Sequence, residues 1–387
     1  MILGLGLNTA FTLNASPSSF FSVPTDLGLE AYGIHEIIWT SWGATVGFDR
    51  SSQTYKIWGY SPVVHYHGLT KPQRIVLPSG VHPKTFIGTD NLEGILGEDG
   101  YIYLPLEKED KEGFLWQKRT QDSGGWLDIG MLGSGILIGL HSYDTSTPIY
   151  SSSLSTLCSS APSASTSCQP AHVPTFNHVH PSLSHALLTP CLPTIHPPYA
   201  QGSNLYAQLS LSGLTYSHTP VRLEQFDGLG LIKLSSAGVY SSGLTEAGSI
   251  YVWGGRYGCL DDALDVPLIQ SLLHTQLAES TSIGKSNGAS KQELGAATPA
   301  EEEEEEIVDH LITPFGGVLL ALRNGFVLGY NFDKADLMPA SGQEVFRDTR
   351  GEYGRSVWSI VWDPKDGLEV KNIRVGSGGS AIFFATR

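Results

Sequence analysis

Residues 231–260 read LIKLSSAGVYSSGLTEAGSIYVWGGRYGCL, and the reading of this stretch decides the fold. Leu231 to Leu234 is a short apolar run, and Ala237-Gly238 marks a bend after it. Residues 239–245 read as a second strand and Glu246-Ala247-Gly248 as a turn. Residues 249–253 return as a third strand, rich in β-branched and aromatic side chains. Gly254-Gly255 ends it, because a glycine pair lets the backbone leave a sheet through positive φ. Such a meander has an apolar face that it cannot bury by itself, so it requires neighbours of its own kind.

The chain supplies those neighbours in worn form. Residues 38–59, IWTSWGATVGFDRSSQTYKIWG, run through strand, small-residue bend, strand, turn and an aromatic strand ending in Trp58-Gly59. Residues 85–104 and 307–330 follow the same order, with Gly100 and Asn324-Gly325 at the turn that Gly248 holds in the clearest copy. Residues 127–140 are a weaker copy, and residues 370–386 stop after the second strand. Met1 to Asn8, MILGLGLN, is the kind of strand that the last copy lacks. An array whose N-terminal strand completes its C-terminal unit closes into a ring and leaves no sheet edge exposed. The gap between residues 132 and 238 has room for one hidden copy, which gives seven units; six units with a larger insertion also fit.

Gly238, Leu244-Thr245, Gly248, Ile250-Tyr251 and Trp253-Gly254 together resemble the repeat of the regulator of chromosome condensation family. Tyr257-Gly258-Cys259-Leu260 resembles the segment that follows that repeat, although Cys259 and Leu260 lack its flanking glycine. The resemblance implies an all-β fold: a single seven-bladed β-propeller over residues 1–387, closed by the N-terminal strand completing the last blade. It also implies two functions. One is a non-enzymatic scaffold or adaptor that mediates protein–protein interaction, as in the small acidic members. The other is guanine-nucleotide exchange on a Ran-like small GTPase, the founder's activity; the founder's basic DNA-binding tail has no counterpart here.

Bulk composition agrees with many short strands. The 387 residues include 44 Gly and 22 Pro, which suit tight turns and suit helices badly. A formal charge of −15 argues against direct nucleic-acid binding, which needs clustered Lys and Arg, and favours a basic protein partner. Four cysteines suggest no disulfide framework, and no Lys or Arg precedes Arg50 to form a signal-peptide n-region. No apolar run reaches the ~20 residues that span a bilayer. The expectation is a monomer, intracellular in cytoplasm or nucleus.

Two segments break the repeat. Residues 144–201 are dense in Ser, Thr, Pro and His without a period of 2 or 3.6, and read as a mostly disordered insertion. Cys158, Cys168 and Cys191 lie there among histidines, but nine residues separate the first two, too many for a zinc knuckle. Residues 267–306 form a second insertion, ending in the acidic run Glu301, Glu302, Glu303, Glu304, Glu305 and Glu306. Like charges in such a run repel one another and stay solvated.

The search for chemistry yields no phosphate loop, nucleophile elbow or metalloprotease helix. No catalytic residue, cofactor or metal ligand is expected. The partner-binding candidates are Arg256 and Tyr257, of interface-anchor type and placed after the Trp-Gly ending of the clearest repeat, together with Glu301–Glu306.

Overall fold

Short runs of alternating apolar residues, cut by glycine turns, become antiparallel strands along the whole chain. The computed structural model describes residues 1–7, 20–41, 43–59, 69–110, 113–119, 125–159, 174–193, 195–258, 263–264, 307–314, 316–330, 358–362, 370–375 and 381–386. The N-terminal strands are β1 (Ile2–Leu7) and β2 (Phe20–Asp26). The first blade holds β3 (Glu36–Thr40), β4 (Ala44–Asp49), β5 (Thr54–Gly59) and β6 (Leu69–Val76). The second holds β7 (Pro83–Ile87), β8 (Gly94–Gly97), β9 (Ile102–Asp110) and β10 (Gly113–Lys118). The third has β11 (Trp126–Met131), β12 (Leu137–His141) and β13 (Asp144–Ser151), followed by the helix α1 (Leu154–Ser159).

The fourth blade is β14 (Phe176–Pro181), β15 (His185–Pro190), β16 (Tyr199–Ser203) and β17 (Tyr216–Arg222). The fifth is β18 (Leu231–Ala237), β19 (Tyr240–Thr245), β20 (Ile250–Gly254) and β21 (Ala263–Leu264). The sixth is β22 (Ile307–Ile312), β23 (Val318–Leu322), β24 (Val327–Tyr330) and β25 (Trp358–Trp362). The last begins with β26 (Val370–Val375) and β27 (Ala381–Thr386).

Its order is β2-β1-β27-β26, so the two ends of the sequence share one sheet. Leu3 of β1 pairs with Phe384 on one side and Asp26 on the other. The closure expected from the sequence is therefore present, and the N-terminus supplies two strands to it where one was expected. The fold is a seven-bladed β-propeller. Blades one and two also join at their rims, where β6 and β10 pair in parallel through Ile75 with Phe114.

The core lies between blades. Each interface has its own apolar cluster, as with Leu231, Leu234 and Trp253 against Leu187, Ala200 and Leu209 between blades four and five. Ile2, Leu27, Ile37 and Trp58 fill the interface at the closing blade. Trp58 and Trp253, which end the third strands of two repeats, are 1% and 0% exposed. Truncating a tryptophan so buried costs about 3–5 kcal/mol.

The innermost strands share a further device. Each carries a register irregularity after its first paired residues, and the next paired residue is Thr85 in β7, Asp128 in β11, His178 in β14, Lys233 in β18 and Asp309 in β22. Asp128 accepts hydrogen bonds from Thr85 Oγ1 of the preceding blade at 2.9 Å and from the Val179 N–H of the following one at 2.8 Å. Asp309 pairs with Lys233 of the preceding blade and accepts from the Ile373 N–H of the following one at 2.8 Å. Each carboxylate thus satisfies a backbone donor on the innermost strand of the following blade.

Several expectations require correction. Residues 144–201 are not a mostly disordered insertion, because β13, α1, β14, β15 and β16 fall within them. Their apolar residues Leu187, Leu188 and Ala200 are fully buried between blades, which offsets the ordering entropy. The hidden copy is this fourth blade. Residues 204–215 form a loop leading to Tyr216 at the start of β17. Residues 160–173, Cys168 and the second insertion at 267–306 lie outside the described residues.

Candidate functional site

The loop between β16 and β17 is built by one side chain. Asn204 Nδ2 donates to the carbonyls of Leu211 and Leu214 at 2.7 and 2.6 Å, and its Oδ1 accepts from the Leu209 N–H at 2.8 Å. Gln208 Oε1 accepts from the Tyr206 N–H at 2.8 Å. Ala207 and Ser210 hold positive φ of 59° and 51°, a conformation that costs non-glycine residues free energy and persists only where the surroundings enforce it. Gln208 and Leu209 are fully buried beneath the loop, while Leu205 and Tyr206 at its tip are 71% and 59% exposed. The chain thus holds two large apolar side chains in water on a rigid base.

The tip is clasped to the end of the clearest repeat. Trp253 Nε1 donates to the Gln208 carbonyl at 2.9 Å, and the Gly255 N–H donates to the Tyr206 carbonyl at 2.7 Å. Gly255 opens a short 3₁₀ turn, Gly255–Tyr257. A Cβ at Gly255 would stand 2.1 Å from the Tyr240 ring, so only glycine fits this close approach.

Tyr257 follows, half-buried. Its hydroxyl donates to the Gly316 carbonyl of blade six at 2.5 Å, and its ring stands edge-on to Tyr240 at 5.9 Å. It therefore ties blade five to blade six. The Arg256 side chain and Glu301–Glu306 lie outside the described residues. Sequence reading missed Leu205 and Tyr206 because their stretch alternates enough to pass for a strand. The signal available was Asn204 opening a Ser/Gly-rich segment.

The titratable groups gather elsewhere, on the inner strands. Burial raises the Asp128 carboxyl, but the hydrogen bond and charge of His178 and the donors Val179 and Thr85 hold it below its ordinary value. His178 Nδ1 lies 2.5 Å from Asp128 Oδ2; burial lowers the imidazole, and the carboxylate outweighs that and raises it. His180, whose ring stands edge-on to His178 at 4.4 Å, is pushed well below by burial and by the His178 charge. His185 and His310 are each lowered to about 3 by burial. His185 Nε2 and Ser241 Oγ share a hydrogen bond of 2.7 Å.

Among the described residues no group of three or more His, Cys, Asp or Glu side chains could hold a metal ion. Cys158 is buried against Leu154 and Leu157, and Cys191 is exposed. Among the described residues no helix is long and apolar enough to cross a membrane.

A scan against protein-family models finds no match, and no curated protein matches the sequence. Similarity appears among solved structures. Prp20p from Saccharomyces cerevisiae, described with its binding to Gsp1p and histones, is 13% identical, with a TM-score of 0.62 over 100% of this chain and 91% of that chain. Yeast RCC1 (Prp20) bound to Kap60 is 14% identical, with a TM-score of 0.62 over 100% and 88%. Human WBSCR16 is 12% identical, with a TM-score of 0.62 over 100% and 98%. The fold is thus the one that the repeat resemblance implied, the propeller of the regulator of chromosome condensation.

Proposed function

We propose that this propeller is a non-enzymatic scaffold that binds another protein through the outer loops of blades four and five. The observation that carries the reading is the tip formed by Leu205 and Tyr206, exposed yet held rigid by Asn204 and Gln208. A preorganised apolar and aromatic anchor loses little entropy on binding, which is the property of an interface hot spot. Arg256 and Tyr257 adjoin the tip in this reading, and the acidic run Glu301–Glu306 adds attraction for a basic partner surface. The scaffold acts as a monomer inside the cell, in cytoplasm or nucleus.

The test is affinity capture with the tagged chain and with the Leu205→Asp/Tyr206→Ala variant. The expected result is a set of captured proteins that the variant loses while its melting temperature is unchanged. Equal capture by both chains overturns the assignment of this tip.

A second reading is guanine-nucleotide exchange on a Ran-like small GTPase. It draws on the fold likeness to Prp20p, which is described as binding Gsp1p. Exchange needs no catalytic motif on the propeller, because the GTPase's own phosphate and magnesium site is what is remodelled. Accelerated nucleotide release from a purified Ran-like GTPase supports this reading, and unchanged release rejects it.

A further inference from the structure

The inner strands of the blades enclose a cavity of about 650 Å³ at the centre of the ring, with wall residues from β3, β7, β11, β14, β18 and β26. That volume is in the range of sites for small molecules. Its wall carries three exposed cationic groups, Lys84 from blade two, His178 from blade four and Arg374 from blade seven. Among the described residues Lys84 and Arg374 have no ion-pair partner. His178 is paired with Asp128, yet half its side-chain surface still faces the cavity, while Asp128 is 2% exposed and spends its oxygens on Val179 and Thr85. A fourth cation, Lys233, lies behind Arg374 against Asp309, another carboxylate turned into the wall.

The placement is notable in a chain of formal charge −15. Cations from three blades line one lumen, and they meet like charge there: Lys84 opposes the charge on His178, and Arg374 opposes that on Lys233. Asp90, on the loop after β7, is the exposed carboxylate of the wall. Unmatched like charges around a shared cavity are relieved by an anion placed between them.

We propose that the central channel binds a small polyanion, a compound bearing phosphate or several carboxylate groups. Lys84 and Arg374 contact it from blades two and seven, on either side of blade one, and the His178 imidazolium adds a third donor from blade four. The site is separate from the docking tip of blades four and five.

The experiment is isothermal titration calorimetry on the full chain at low salt, with three probes: sodium pyrophosphate, sodium citrate and a hexaglutamate peptide. The expected result is binding of pyrophosphate or citrate with a Kd below about 1 mM. Binding of pyrophosphate alone assigns a phosphate ligand, and binding of citrate alone assigns a polycarboxylate. The Lys84→Gln/Arg374→Gln variant weakens binding tenfold or more, and the charge-keeping Lys84→Arg/Arg374→Lys variant retains it. Both variants alter exposed side chains, and circular dichroism melts confirm that they fold. The proposal is overturned if neither small probe binds, if the neutral variant binds as the wild type does, or if only the peptide binds.

Discussion

Asp128 and Asp309 occupy the same position in blades three and six and perform the same task. Each follows the irregularity of its inner strand, accepts the N–H of its own next residue, and accepts a backbone N–H from the inner strand of the following blade. Each also takes a charged partner, His178 after it in one case and Lys233 before it in the other. The ring is thus pinned by carboxylates at four of its blade junctions, in addition to the apolar clusters that fill every one.

Removing either pin leaves a buried donor and a cation uncompensated. Asp309→Ala and Asp128→Ala are each expected to lower unfolding free energy by about 3–5 kcal/mol. The two share no partner, so the double variant should show the sum. Urea titrations of the four chains check this. A double variant no worse than either single one would show that the ring yields at one junction first.

Acid should destabilise the fold through its buried histidines. His185 and His310 have folded values of about 3 against 6.5 for an unhindered imidazole. Lowered histidine values mean that the unfolded chain binds more protons between those limits. Stability is therefore full above pH 6.5 and falls on acidification, by about 1.4 kcal/mol per pH unit for each residue. Asp128, also lowered, adds a loss at pH below 3.8, whereas raised His178 contributes at low pH and ceases to as pH climbs past its folded value. Unfolding midpoints at pH 7 and pH 5 measure the slope, and His185→Gln or His310→Gln should flatten it.

Two glycines with positive φ separate strain from contact. Gly238, at φ 59°, would place a Cβ 2.7 Å from the Pro314 carbonyl oxygen of the next blade, whereas Gly248, at φ 80°, has nothing within 4 Å of that point. Gly248→Ala should cost about 1–2 kcal/mol, the penalty of a left-handed residue. Gly238→Ala should cost more, because it adds displacement of a neighbouring backbone. Chemical denaturation of both variants gives the difference directly.

Asn204→Ala should loosen the candidate docking loop before it unfolds the ring. It leaves the Leu209 N–H and the carbonyls of Leu211 and Leu214 without their partner, a cost of about 1–3 kcal/mol. Limited proteolysis should then cut within residues 204–214, with the remaining fragments still associated. Unaltered cleavage would assign the rigidity of the loop to Gln208 and the buried Leu209.

The fold was legible where a blade's apolar residues alternate and its turns carry glycine. The strands read at 231–234, 239–245 and 249–253 correspond to β18, β19 and β20, and Gly100, Gly248 and Gly325 each close the turn expected of them by donating to the carbonyl three residues before. Blade four escaped because FNHVHP, HALLTP and YAQGS place histidines, prolines and a glutamine where a repeat shows aliphatic residues. Those polar groups face the channel or a neighbouring blade, as the His185–Ser241 contact does, and tertiary placement overrides the strand pattern. The pinning aspartates did leave a trace: Trp126-Leu127-Asp128-Ile129 and Ile307-Val308-Asp309-His310 put Asp two places after the opening residue. The cations of the lumen left none, since Lys84, His178 and Arg374 come together only through ring closure.

That closure sets an order of events during synthesis. Leu3 finds Phe384 only after β27 has left the ribosome, on the order of tens of seconds after β1 was made. Until then the edge of β1 that pairs with β27 stays open. A nascent chain stalled anywhere before residue 381 carries an unclosed ring.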